Sequence, residues 1–270
     1  MSEPIPIAVL MCHAPVVVPE IAGHRAADCA VTTRAMQRVA ERVVQRRPDL
    51  LLVVSPHTPR LRDAWGVVGD AEIGGSFGMF GFPGIRVDLP GAPDDARALA
   101  SAAAEAGAPA AVVHPGPLDH GAAVPLVFLT RAGWRGPTVV VAWPWEVGAG
   151  EERFGRAIRE AARRSGRRWA VVASGDMSHR LAPGAPSGYH PRAAEFDRSF
   201  TGRLERGDLR GAAAIDPALR ELAAEDVVTS VAVAGAAVDW EPRGTEVLAY
   251  EGPFGVGYCE AVLFDEEAQP

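Results

Sequence analysis

The sequence predicts a single α/β domain over residues 1–270, with an open central sheet flanked by helices. Short apolar runs of strand length recur along the chain, at Ile5–Met11, Leu50–Val54, Thr138–Ala142 and Trp169–Ala173. Stretches with helical spacing separate them, and Gly or Pro punctuates the joins. A strand, helix, strand succession opens the chain, which is the unit that builds parallel sheets. A length of 270 residues is ample for one extended sheet and its two helical layers.

Ile5–Met11 lacks helical periodicity and stops at Cys12-His13-Ala14-Pro15, so it reads as a buried strand followed by a loop. Gly23–Arg47 has helical spacing and ends at Pro48-Asp49, after which Leu50–Val54 is a second strand closed by Ser55-Pro56-His57-Thr58-Pro59. A right-handed crossover normally makes such strands parallel neighbours, which places His13 and His57 on one sheet edge. That edge, at the carboxyl ends of the strands, is where open α/β sheets bind ligands. Trp65–Asp70 and Ile85–Leu89 read as strands around a Gly- and Phe-rich loop, Gly74–Phe82. Further on come a helix at Ala96–Ala106, a strand at Ala110–Val113 and a short helix at His120–Leu129. Pro191–Arg206 and Pro217–Val238 are helical, and Thr245–Tyr250 with Val256–Phe264 close the sheet.

Composition narrows the function. A net charge of −7 disfavours nucleic acid and anionic membranes as partners, because both are bound through basic surfaces. Three scattered cysteines, Cys12, Cys29 and Cys259, form neither a disulfide framework nor a Cys-x-x-Cys metal site. The N-terminal residues lack the basic and long apolar regions of a secretion signal, and no apolar run reaches membrane-spanning length. A cytoplasmic protein acting on small molecules is the expectation.

Five of the seven histidines, His13, His57, His114, His120 and His179, lie just after apolar strands or beside turns. One such histidine is ordinarily a satisfied structural residue. Two at matched strand ends, joined by a carboxylate, supply the two-histidine, one-carboxylate face of non-haem Fe(II) oxygenases.

Several motifs in order then resemble one family: His13-Ala14-Pro15, Ser55-Pro56-His57, Phe80-Gly81-Phe82-Pro83, Asp119-His120-Gly121 with Val124-Pro125-Leu126, and Ser174-Gly175-Asp176-Met177-Ser178-His179. Together they are similar to the LigB-type class III extradiol ring-cleavage dioxygenases, from residue 7 to about 264. The closing Tyr250–Tyr258 stretch resembles the branch near the Memo-like proteins.

The resemblance implies a metal site at the carboxyl ends of the strands, with His13 and His57 as ligands and a third ligand from Ala224-Glu225-Asp226-Val227. Counting back from Gly235-Ala236 favours Glu225. A one-residue change of register leaves Asp226 open, and an acidic pair serving the helix dipole is the plain alternative. The same resemblance makes His120 and His179 acid/base residues that act on substrate. It implies Fe(II), with Zn(II) or Mn(II) as alternatives, and a catechol or 2-aminophenol substrate cleaved with O2. A homo-oligomer or a sister subunit would fit the family. The competing function is a Memo-like metal-binding protein or a zinc-dependent hydrolase using the same cleft. Asp119 and Asp176 read as structural residues that orient the histidines or satisfy loop amides, His114 and His190 as rim or loop residues, and Trp143-Pro144-Trp145 as packing in preference to a flat apolar surface for an aromatic ring.

Overall fold

Residues such as Leu50–Ser55 are apolar on both sides because the strand they form is covered on both faces. Leu50, Leu52 and Val54 point into one core with Phe154, Phe196 and Phe200, while Leu51 and Val53 point into another with Met36, Val39 and Phe128. A computed structural model describes residues 3–146 and 150–268. The elements in order are β1 (Ile7–Met11), α1 (Pro19–Ala22), α2 (Ala30–Gln45), β2 (Leu50–Ser55), β3 (Trp65–Val68), β4 (Glu72–Phe77), β5 (Phe82–Pro90), α3 (Pro93–Glu105), β6 (Ala110–Val113), α4 (His120–Arg131), β7 (Thr138–Ala142), α5 (Glu151–Ser165), β8 (Trp169–Ser174), α6 (Ala193–Leu204), α7 (Leu209–Ala213), α8 (Pro217–Ala223), α9 (Val228–Ala237), β9 (Glu246–Glu251) and β10 (Tyr258–Asp265).

Eight strands form one mixed sheet in the order β6-β3-β7-β2-β8-β1-β10-β9. The four central strands are parallel, β3 runs antiparallel to β7, and β10 runs antiparallel to β1. This is the single α/β domain expected, and no helix among the described residues is long and apolar enough to cross a membrane.

Three local expectations change. First, β1 and β2 are not neighbours, because β8 lies between them and pairs with both. The connection through α2 passes over one strand position. The shared edge survives, and the loop after β8 now sits between the loops bearing His13 and His57. Second, the Gly- and Phe-rich stretch is not a free loop. Its first part is β4, paired antiparallel with β5, with Ile73 and Phe77 turned inward in period-two alternation. Third, the segment 217–238 breaks into α8 and α9 at Ala224, which adopts φ 54°. Helix α5 is not announced by apolar runs, since Gly155, Ala157, Ala161 and Ala162 make up most of its buried stripe beside Phe154 and Ile158. Their small size lets α5 pack closely.

Asp197 of α6 is fully buried. It accepts hydrogen bonds from the Tyr250 hydroxyl of β9 (2.7 Å) and from the Ser178 amide (3.0 Å). Burial outweighs these bonds and pushes its carboxyl up to about 6 from 3.8. Between those values the folded chain binds more protons than the unfolded one. Acidification across that window therefore favours the fold, and the contribution is lost as pH rises through 6. Urea unfolding of the metal-free protein and its Asp197→Asn variant at pH 4 to 7 should diverge by up to about 3 kcal/mol, with the wild type losing ground as pH rises. Parallel pH profiles would show that Asp197 does not titrate in this way.

Candidate metal centre

Histidine 13 lies two residues past β1 and is almost wholly buried. Its amide donates to Asp176 Oδ1 (2.9 Å), and its ring Nδ1 lies 3.1 Å from Ser174 Oγ at the end of β8. The Ser174 hydroxyl donates to the Gly121 carbonyl (2.5 Å), so its proton is already committed. The neutral imidazole that a metal requires must then donate from Nδ1, which leaves its Nε2 lone pair for the site.

That lone pair faces His57 Nε2 at 3.1 Å. His57 lies two residues past β2, in the Ser55-Pro56-His57 turn, where the Ser55 hydroxyl accepts from the His57 and Thr58 amides. Asp226 Oδ2 stands 3.5 Å from both Nε2 atoms. Its other oxygen accepts from the Asp176 amide (2.7 Å), and the Asp226 amide donates back to the Asp176 carbonyl (3.1 Å). The two glycines of the motifs have steric reasons. A Cβ on Gly175 would come within 2.5 Å of Val227 Cα, and one on Gly121 within 2.6 Å of Ser55 Oγ and 3.0 Å of the His57 ring.

Glu225, the favoured acid of the sequence reading, is turned away. Its Oε2 accepts from the Val227 and Val228 amides (2.7 and 2.8 Å), capping α9, and its Oε1 accepts from Arg220 Nε (2.6 Å). The physical cause is the left-handed Ala224, which makes 224–227 a corner and not the first turn of a continuous helix. The corner gives the cap to Glu225 and the site to Asp226.

His120 opens α4, whose amides at Gly121 and Ala122 are capped by Asp119 (2.8 and 3.3 Å). Its ring stacks on His57 at 4.5 Å between centroids and lies 5.6 Å from that of His13. Nitrogens of His13, His57 and His120 all fall within 4.8 Å of one another. His179 is held by its amide, which donates to the Ala223 carbonyl (2.9 Å), while its buried Nδ1 has no hydrogen-bond partner among the described residues. Asp119 accepts the Gly121 and Ala122 amides and Asp176 accepts the His13 amide, which is the structural role read from the sequence. His114 pairs with Asp70 (2.7 Å), and His190 accepts from the Arg192 amide (3.1 Å). Neither belongs to the cluster. A concavity of about 920 Å³ lined by Asp70, Glu72, Ser76, Arg86 and Asp88 also contains none of these histidines.

The charges in the cluster are unequal. Burial alone would lower His13, but Asp176 and Asp226 outweigh it and push the ring up to about 9. Burial and the neighbouring His13 charge bring His57 down to about 4. Burial would raise Asp226, yet His13 beside it holds the carboxyl at about 2. The cluster therefore attracts positive charge at its centre. Donors bound to one ion at about 2.0–2.2 Å are roughly 3–3.5 Å apart, and the observed spacings of 3.1 and 3.5 Å agree with that. In electrostatics, spacing and tautomer, His13, His57 and Asp226 fit a divalent metal.

Two more residues stand near the cluster: Phe80, to which its motif assigned no role, and Arg60, which was not singled out from the sequence. Phe80 presents its ring edge-to-face to His120 at 5.7 Å. Arg60, three residues after His57, sits between Trp143 and Trp145. Proximity in sequence to His57 was its only signal.

Comparison with known proteins gives three findings. The family model described as the catalytic LigB subunit of aromatic ring-opening dioxygenase matches residues 7–261. Protein CA_C1420 of Clostridium acetobutylicum is 28% identical over 258 residues, covering 92% of this chain, which spans only 55% of that protein's length. The crystal structure of the uncharacterized protein JW3007 from Escherichia coli K12 shares the fold with a TM-score of 0.66 at 17% identity, over 95% of this chain and 98% of that one.

Proposed function

Because the chain belongs to the family of catalytic LigB subunits of aromatic ring-opening dioxygenases, we propose that it is a non-haem Fe(II) extradiol dioxygenase acting on a catechol or 2-aminophenol with O2. The convergence of His13 Nε2, His57 Nε2 and Asp226 Oδ2 within 3.5 Å carries this reading. These three would hold the ion, leaving positions for other donors. When bound, iron supplies the redox chemistry and lets substrate and O2 meet.

The chain's own residues supply orientation and proton movement. Ser174 fixes the His13 tautomer, and Asp176 holds both the His13 backbone and the Asp226 carboxylate in place. A catechol would lose a phenolic proton on binding as an anion, and ring opening with O2 would require a proton to be returned to oxygen. His120 and His179 are the imidazoles proposed for those transfers. Phe80 offers an aromatic wall against the ring.

The test is anaerobic Fe(II) reconstitution followed by a catechol and 2-aminophenol panel with oxygen uptake recorded. Stoichiometric O2 consumption with a ring-opened product supports the reading. No uptake across the panel with iron fully bound would sink it.

A second reading has a specific observation behind it. The three imidazoles His13, His57 and His120 form a nitrogen set of the kind that binds hydrolytic zinc. His120→Gln separates the two. On the dioxygenase reading the variant keeps iron and slows ring opening by about 10²–10⁴, whereas on the zinc reading it loses the metal. Metal analysis after dialysis decides between them.

A further inference from the structure

Arg60 lies in the loop that carries His57, and Trp143 and Trp145 follow β7, the neighbour of β2, at the same sheet edge. The guanidinium carbon is 4.5 Å from the Trp143 ring centre and 4.0 Å from that of Trp145. Nε donates to the Trp143 carbonyl (3.2 Å) and Nη2 to the Pro144 carbonyl (2.7 Å). The two loops are further joined by the Trp145 amide to the Leu61 carbonyl and the Glu146 amide to the Arg62 carbonyl, both 2.9 Å. The guanidinium is thus fixed on two indoles and two carbonyls.

Its electrostatic partner is missing. Most half-buried arginines of this chain meet a carboxylate at ion-pair distance, as Arg46 and Arg168 do. Arg60 has no such partner among the described residues, and the one acid within electrostatic reach is Asp226 of the metal centre. Nη1 makes no hydrogen bond among the described residues. A guanidinium stays charged at any working pH, and its planar edge suits a carboxylate. With two indoles against the guanidinium and two N–H groups on carbonyls, the Nη1 edge is what remains for a ligand among the described contacts.

We propose that Arg60 selects the ligand of this site by charge, receiving the carboxylate substituent of an aromatic ring whose hydroxyl-bearing edge faces His13, His57 and Asp226. This rests on the ring-binding reading above and adds the recognition of a substituent to it. Arg60 acts on binding and not on bond breaking. A purely structural latch between the two loops would affect all ligands alike, so the measured quantity is a ratio.

Isothermal titration of the full chain, loaded with Fe(II) under anaerobic conditions, compares 3,4-dihydroxybenzoate with its neutral amide, 3,4-dihydroxybenzamide. The wild type should bind the carboxylate about 10-fold or more tightly than the amide. In Arg60→Gln the ratio should collapse to about 1–2, and Arg60→Lys, which keeps charge but loses the fork, should fall between. A ratio near one in the wild type, an unchanged ratio in Arg60→Gln, or no binding of the carboxylate at millimolar concentration each overturns the assignment. Benzoate and benzamide, which lack the hydroxyls, separate this from the parent reading. An Arg60-dependent preference for benzoate, with the added hydroxyls contributing nothing to affinity, would retain Arg60 and remove ring binding at the metal.

Discussion

Asp226→Asn should lose stoichiometric metal binding, while Glu225→Gln should keep it. The asparagine preserves Oδ1, which accepts from the Asp176 amide, and replaces the oxygen that stands 3.5 Å from both His13 and His57 with an amide group. The fold should therefore survive, and the loss would be local. Removing an outer partner of a metal ligand costs about 10–100-fold in affinity, so removing a charged donor should exceed about 100-fold. Glu225→Gln keeps an acceptor for the Val227 and Val228 amides but gives up the charge against Arg220. It should cost about 1–2 kcal/mol of stability with little change in metal content. Metal analysis with chelator competition, alongside urea unfolding, measures both. The reverse pattern would move the ligand to Glu225 and refute the orientation of the 224–227 corner.

His179→Gln should retain iron and bind a catechol, yet open the ring about 10²–10⁴-fold more slowly. Glutamine can hydrogen-bond but cannot exchange a proton near neutrality. The residue is placed by a backbone bond to Ala223, and its buried Nδ1 has no partner among the described residues, so the ring is positioned without its reactive groups being used up. Single-turnover mixing with O2 is the measurement, because slow product release would otherwise hide a slowed chemical step. Wild-type ring opening would remove His179 from the reaction, and loss of iron would make it a ligand.

The sequence alone determined that the apolar runs became the central strands and where two histidines would stand, whereas β4, in the Gly- and Phe-rich stretch, was not legible as a strand. Ile5–Met11 and Leu50–Val54 are apolar at every position, a pattern that serves a strand buried on both faces, and the residue after such a run falls at a sheet edge. His13 and His57 were legible for that reason, and the ordered motifs added His120 and His179. Three things were decided only by tertiary structure. The insertion of β8 between β1 and β2 brings Ser174 to the His13 ring, and strand order is a long-range choice that a local pattern does not encode. Which of Glu225 and Asp226 faces His13 and His57 hung on one left-handed residue, Ala224, and alanine carries no sequence signal for that conformation. The Arg60 guanidinium acquired its setting from Trp143 and Trp145, more than eighty residues away along the chain, because β7 pairs with β2. Periodicity reports which side of an element is buried, whereas the partners across that surface are fixed only when distant segments pack.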